Sequence, residues 1–475
     1  MSKPTSALEG TMKIILKNIG IFKQAEYELG ELTIICGENN TGKTYATYSL
    51  YGFYDFWKNV FLIKVGEQEI TKLMERGSIN IPLEIDKHQI EQQLQVACKQ
   101  YSKFLPRILA AQEKYFNNSS FLIELEQKEI TILDSYSKSW RTPKSEMLQI
   151  VKESGKNEVS VSLILDKIEL DSPSVRLNIA QAIGESLKEI IFSNTFSNIF
   201  IASAERTGAV IFKNELNIKQ NALIKEVVRS PDVDLNQILN SIYNSNYALP
   251  VERNIDFIRE LENIAKKESF ISKHFPDLLK DFADIIGGEY KVGKDGLYYI
   301  PKSGRVKLSM GESSSSVRSL LDIGFYLRHL AEKGDILMID EPELNLHPSN
   351  QRRFARLISS LVNIGIKVFI TTHSDYLIKE LNTLIMFNNT KESDHTKSLL
   401  HKYKYKSYEL ISYDKIKVFI SDKEKVKIDG NINKTKIQTL VPAEIDKFYG
   451  IEAHSFDKTI EEMNHIQESI ILGRK

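Results

Sequence analysis

Residues Gly37-Glu38-Asn39-Asn40-Thr41-Gly42-Lys43-Thr44 bring together the types that bind phosphate. The two glycines permit a tight loop that aims backbone N–H groups at anionic oxygens. Lys43 carries charge to the β- and γ-phosphates, and the Thr44 hydroxyl is a ligand for Mg²⁺. An apolar run, Leu32-Thr33-Ile34-Ile35-Cys36, precedes the loop, and a helix-forming stretch opens at Lys43. That strand–loop–helix setting separates a true phosphate loop from a chance match. The amino end of the helix adds partial positive charge. Gly37, Asn39, Asn40, Thr41, Gly42, Lys43 and Thr44 are therefore the predicted cradle of a nucleoside triphosphate, with ATP and Mg²⁺ as ligands.

The second half of the chain supplies the groups that such a cradle needs for hydrolysis. Ile336-Leu337-Met338-Ile339 ends in Asp340-Glu341. In a parallel sheet an apolar strand delivers its last side chains to the edge where ligands bind. Asp340 is placed to hold Mg²⁺ through water, and Glu341 to orient and deprotonate the attacking water. Val368-Phe369-Ile370-Thr371-Thr372 leads to His373, a hydrogen-bond partner for a γ-phosphate oxygen. Leu308-Ser309-Met310-Gly311-Glu312 runs into a serine-rich helix start. Ser309, Gly311 and Glu312 there make a second anion site. Because the first cradle is complete within one chain, the second points to a nucleotide on another subunit. An alternative alignment places Ser314 or Ser315 in that role. Arg206, in Ala204-Glu205-Arg206-Thr207-Gly208, has two readings, approaching the nucleotide or holding Glu205.

Composition excludes several classes. Lys+Arg and Asp+Glu each number 63 in 475 residues, so no global charge favours a polyanion. Cys36 and Cys98 are the only cysteines, which excludes a disulfide framework and a four-cysteine zinc site. No run approaches about 18 apolar residues, so no spanning helix or membrane partner is expected, and the location expected is cytoplasmic.

The elements that position these groups follow from periodicity. Three short strands, Met12–Leu16, Ala25–Leu29 and Leu32–Cys36, precede the loop, and a helix is predicted from Lys43 to about Trp57. Ile85–Tyr115 and Val175–Ile191 have helical spacing, while Phe121–Leu133 and Val159–Leu165 read as strands or a hairpin flank. Asn198–Ala202 is a buried parallel strand. Phe212–Ile286 is mostly helical, with breaks near Ser230-Pro231 and Leu249-Pro250. Tyr290–Ile300 is a hairpin turning at Gly293–Gly296, and Ser313–Leu330 a helix. Ile336–Ile339 and Val368–Thr371 are strands flanking a helix from about Ser349 to Val362, an alternation that calls for a parallel sheet. Between His401 and Gln438 there are ten Lys against five acids. That stretch suits either a backbone-phosphate contact or a solvated edge strand.

The expected fold class is α/β: a P-loop ATPase head with a mixed or parallel core sheet, an antiparallel flank and a large, mainly helical insertion. The expected organisation runs as follows: a leader over 1–11; an ATPase lobe over 12–60; a mainly helical insertion over 61–195; a core strand with the Ala-Glu-Arg-Thr-Gly segment over 196–210; a helical insertion over 211–288; a second ATPase lobe over 289–388; and a C-terminal appendage over 389–475.

In this order the motifs resemble those of ABC-type ATPases of the SMC, Rad50, RecF and OLD branch. Gly37–Thr44 matches the Walker A motif, Asp340-Glu341 the Walker B motif, and His373 the switch histidine. Leu308–Glu312 resembles the signature motif with Met310 in place of its first glycine, and Glu343–Pro348 sits at the D-loop. The resemblance implies head-to-tail nucleotide sandwiching between subunits. Long coiled coils, a Cys-x-x-Cys hook and a TOPRIM pattern are missing, which leaves a stand-alone OLD- or RecF-like ATPase. Such chains are similar to the ATPase subunits of PARIS-type and Septu-type antiphage systems. That similarity implies an oligomeric sensor that holds an effector nuclease from a neighbouring gene until a phage-encoded trigger protein releases it. The Ala-Glu-Arg-Thr-Gly segment, the serine-rich signature and a tail with Gly450-Ile451 and Ser455-Phe456-Asp457 favour the PARIS type. The alternative is a RecF-like repair ATPase that clamps DNA.

Overall fold

The computed structural model describes residues 12–61, 63–83, 87–125, 130–141, 146–164, 173–212, 247–293, 296–302, 304, 306–391, 393–428, 433–452 and 465–467. The expected leader, the break at Ser230-Pro231, the tip of the Gly293–Gly296 turn and Ser455-Phe456-Asp457 lie outside them. Strands are numbered along the chain: β1 Lys13–Ile19, β2 Phe22–Glu28, β3 Leu32–Cys36, β4 Ser78–Pro82, β5 Ser120–Glu124, β6 Tyr136–Arg141, β7 Glu146–Lys152, β8 Glu158–Leu163, β9 Ile199–Ala202, β10 Gly288–Gly293, β11 Gly296–Pro301, β12 Leu308–Ser309, β13 Ile336–Asp340, β14 Lys367–Thr372, β15 Ile416–Lys427 and β16 Lys434–Pro442. The fold class is α/β, with a mixed, largely parallel core sheet.

The chain divides into two compact units. One contains Ile15–Gly52, Leu105–Ser119 and everything from Ile199 onward. Its centre is a sheet in the order β16-β15-β3-β14-β13-β9. From β15 to β9 every neighbouring pair is parallel, and β16 joins antiparallel at the edge. All five residues of β3 and of β13 are buried. Helices cover both faces of such a strand, which is why these segments read as continuous apolar runs rather than alternating ones. Cys36 lies opposite Thr372 and Ile420, Thr371 opposite Asp340, and Ile339 opposite Ala202. The strands therefore end in one row, and whatever follows each of them emerges along a single edge.

The crossover from β13 to β14 is the helix Pro348–Asn363. Proline at its first turn costs no hydrogen bond, and His347 Nδ1 accepts the Ser349 N–H as its cap. Phe354, Leu357, Ile358 and Leu361 recur at helical spacing and are buried against the sheet core. The helix Asp375–Asn389 after β14 is capped by Ser374, whose Oγ accepts the Leu377 N–H. The stretch 313–330 is helical as its spacing suggests, but it is divided into Ser315–Ser319, Leu321–Phe325 and a π-helical turn Tyr326–Leu330.

The tail departs from the expectation of a separate appendage. Ile416–Ser421 is buried at four of its six positions and pairs parallel to β3, beside the strand that leads into the phosphate loop. Its continuation, Asp422–Lys425, is exposed. A window that averages core strand and exposed hairpin reads as one lysine-rich segment.

The other unit contains Phe53–Phe104, Ser120–Asn198 and the described part of Met1–Ile14. Of the stretches read as helices, Ile85–Tyr115 forms one long helix only over Lys87–Ser102, while Val175–Ile191 lies within the helix Pro173–Phe192. This unit holds more sheet than a mainly helical insertion implies, an antiparallel four-stranded sheet in the order β4-β8-β7-β6. Leu148, Ile150, Val159 and Val161 pack against Ile179, Ile183 and Ile190 of the second helix. An aromatic cluster completes this unit, with Phe53 stacked on Phe121 at 5.3 Å and edge-on to Tyr101 at 5.3 Å.

Candidate nucleotide site

The loop Gly37–Thr44 leaves β3 and enters the helix Lys43–Val60. Gly37 has φ +139° and Gly42 φ +95°, conformations that residues with a Cβ avoid. A Cβ on Gly37 would lie 2.8 Å from the Ser421 carbonyl oxygen of β15. The Ser421 hydroxyl donates to Thr41 O at 2.7 Å, and Gln438 Nε2 donates to Ser421 Oγ at 3.2 Å. The hairpin β15–β16 thus braces the loop from the side, a role that lysine content hid in the sequence. Gly37→Ala is expected to weaken ATP binding at least tenfold, because backbone strain of about 1–3 kcal/mol adds to a displaced brace. Titration with a fluorescent ATP analogue checks this, and unchanged affinity would show that the loop accommodates the methyl group.

Lys43 is buried at the start of the helix, and its ammonium donates to Gly37 O at 2.9 Å and Glu38 O at 2.7 Å. Desolvation lowers its pKa, while Glu341, Asp340 and Glu343 oppose that shift. Thr44 is exposed at the helix start, open to a ligand. Asn39 and Asn40 are exposed on the loop, and Asn40 takes the left-handed φ of +61°.

Asp340 ends β13 and is buried, and its Oδ1 accepts the Thr371 hydroxyl. Burial pushes its pKa up to about 6, Thr371 pulls the other way, and Glu341 and Glu205 add to the rise. Its Oδ2 is buried with no hydrogen-bond partner. Among the described residues no three acidic, His or Cys side chains form a metal cage, but an orphaned, desolvated carboxylate oxygen fits a Mg²⁺ that keeps most of its waters. Glu341 follows with φ +52°. Its N–H donates to Thr371 O at 3.1 Å and Oγ1 at 3.2 Å. His373 Nδ1 is 3.7 Å from Glu341 Oε1 and 3.3 Å from Glu343 Oε1.

Glu343 and Thr371 also lie at this edge; the sequence places Glu343 only at the start of the D-loop and Thr371 only in a strand, with no side-chain role for either. Glu343 is buried and accepts the Thr372 hydroxyl at 2.8 Å and the His373 N–H at 2.7 Å. It fixes the strand end that carries the histidine. The available signals were a third acid two residues after Glu341 and two polar residues closing an apolar strand.

The signature stretch is held by a small antiparallel sheet, in which Ser309 on β12 pairs with Tyr298 on β11. Ser309 N–H and Oγ donate to Glu312 Oε2 at 2.9 and 2.8 Å. Those bonds keep the Glu312 carboxyl below its usual range. Ser309, Gly311 and Glu312 are all exposed, so this turn presents two anion-binding donors at the surface. Met310, where the motif has glycine, packs its side chain against the core. Ser314 is engaged as a helix cap, accepting the Val317 N–H at 3.4 Å.

Arg206 takes neither of its two predicted positions. It is fully buried and donates only to backbone carbonyls, while the Glu205 carboxylate receives the Tyr48 hydroxyl at 2.8 Å.

Lys43, Asp340, Glu341, Glu343 and His373 therefore converge at the carboxyl ends of β3, β13 and β14. The AAA ATPase domain family matches residues 12–378, well over half of the sequence. The chain belongs to the AAA ATPase domain family. This AAA ATPase is an ATP-hydrolysing P-loop enzyme. No curated protein matches it. Among solved structures, an SMC head bound to the C-winged helix domain of ScpA is similar at 13% identity and TM-score 0.31, covering 90% of this chain and 97% of that one. The SMC head domain from Thermotoga maritima is similar at 12% identity and TM-score 0.27, covering 92% and 99%. Among the described residues of this AAA ATPase no helix is long and apolar enough to cross a membrane.

Proposed function

We propose that this AAA ATPase works as a nucleotide-driven switch whose subunits sandwich ATP head to tail. The observation that carries the reading is the pair of donors at Ser309, an exposed anion-binding turn on a chain whose phosphate loop is already complete. A second copy brings that turn over the Gly37–Thr44 loop, and the phosphate replaces the Glu312 carboxylate on Ser309. Lys43 gives up its loop carbonyls to the β- and γ-phosphates. Thr44 and Asp340 would hold Mg²⁺, which when bound neutralises charge on the phosphate oxygens. Glu341 orients a water for attack on the γ-phosphorus and takes its proton as the bond to the ADP oxygen breaks. His373, held by Glu343, hydrogen-bonds the γ-phosphate and reports its loss.

The biological setting we propose is a PARIS-type, or alternatively Septu-type, antiphage system in the cytoplasm. The ATP-closed oligomer holds an effector nuclease encoded next to it, and a phage-encoded trigger protein releases it. Support comes from the Ala-Glu-Arg-Thr-Gly segment and the serine-rich signature. A repair-type DNA clamp is the second reading. One observation favours it: Lys425 faces Lys436 and Lys427 faces Lys434 across an exposed edge hairpin. Like charges directly opposite are destabilising, and a nucleic-acid backbone would relieve them.

Native mass of Glu341→Gln with ATP, co-expressed with the neighbouring gene product, distinguishes the two. The expected result is a nucleotide-dependent multimer that retains the second protein. A bare dimer that gains mass only with DNA would replace the switch by the clamp, and a monomer with ATP bound would end the sandwich reading.

A further inference from the structure

The guanidinium of Arg206 is fully buried, yet no carboxylate is among its hydrogen-bond acceptors. Nε donates to Ser319 O at 2.6 Å, Nη1 to Ser203 O at 2.8 Å and Asp340 O at 2.7 Å, and Nη2 to Glu341 O at 2.9 Å. These acceptors come from three separate segments: the end of β9, the end of the helix Ser315–Ser319 and the end of β13. Burying a guanidinium takes a charge out of water, and an apolar side chain would fill the same volume without that penalty. Space filling alone therefore does not account for an arginine here.

Two features show what the charge and its fork accomplish. Glu341 stands at φ +52°, a left-handed conformation that an L-residue with a Cβ rarely adopts without outside support. Thr371 holds its N–H side and Arg206 its carbonyl side. The same arginine also grips Ser319, which lies at the end of the helix that Ser314 caps just after the signature turn. The Ser319 hydroxyl is shared between Ser316 O at 3.0 Å and Leu344 O in the D-loop at 3.1 Å. One planar side chain thus touches the segment after the signature and the backbone of the proposed general base. Burial pulls the Arg206 pKa down from its ordinary value, and Asp322, buried nearby, opposes that shift together with Asp340, Glu343 and Glu341.

We infer that Arg206 is a positioning residue that locks the left-handed backbone of Glu341 and ties it to the helix following the signature turn. The inference rests on the general-base reading of Glu341 above. It assigns Arg206 no contact with nucleotide, so its loss must act on turnover and not on ATP affinity. A lysine keeps the charge but cannot span acceptors on three segments, because its three donors radiate from one atom.

The test is turnover per bound ATP in Arg206→Lys and in Arg206→Gln, the latter covering the case in which the first does not fold. ATP affinity and binding stoichiometry are measured on the same samples, so that inactive protein is not counted as slow protein. The expected result is a fall of about 10- to 100-fold in turnover per bound nucleotide with affinity unchanged, the scale of a small misplacement of a catalytic group. Unchanged turnover per bound nucleotide would overturn the inference. A loss of affinity in step with turnover would overturn it too, since a nucleotide ligand or a general scaffold residue behaves that way. Glu341→Gln is assayed alongside: wild-type turnover in that variant refutes the general-base reading itself, which keeps the two failures apart.

Discussion

Glu341→Gln is expected to lower steady-state phosphate release by about 10²–10⁴-fold while leaving ATP bound, the range a positioned general base contributes. Glutamine has nearly the same shape and keeps the backbone contacts to Thr371 and Arg206. What it loses is the basic oxygen that accepts the water's proton. The change also removes one of the negative charges near Lys43 and Asp340. Nucleotide affinity should therefore hold or improve, and the ATP-closed assembly should persist. Phosphate release against equilibrium ATP binding checks both halves.

Lys43→Ala is expected to weaken ATP binding at least about 30-fold, because truncating one partner of a buried charge pair costs about 2–5 kcal/mol and each 1.4 kcal/mol is tenfold. The lysine is the cation that partly offsets Glu341, Asp340 and Glu343 at this edge. Without it the acids are left facing an incoming polyanion. Turnover at attainable ATP should vanish with the affinity, which distinguishes this variant from Glu341→Gln. Isothermal titration with ATP and Mg²⁺ measures it, and wild-type affinity would remove Lys43 from the site.

The core of the site was legible because its residues sit where strong local signals coincide. Leu32–Cys36 is wholly apolar and meets a glycine-bracketed loop, and Ile336–Ile339 ends abruptly in two acids. Buried parallel strands produce such runs, and the row of strand ends produces the convergence. Legibility failed where a residue's role depends on partners distant in sequence. Nothing near Arg206 announces that its acceptors lie at 203, 319, 340 and 341. Likewise Ser421 braces Thr41 across 380 positions. The tail hid a core strand because Lys417 and the lysines beyond Ser421 dominate its composition, while Ile416, Val418, Phe419 and Ser421 are buried. Met310 looked like a damaged motif, but its side chain has a packing role.

The most direct test of the account is a single-turnover measurement. ATP is bound to the wild-type protein and to Glu341→Gln, Mg²⁺ is added, and the reaction is acid-quenched over time. The account predicts ADP forming promptly in the wild type and bound ATP surviving intact in the variant. ADP appearing at the same rate in both would contradict it, and would place the base elsewhere on the sheet edge.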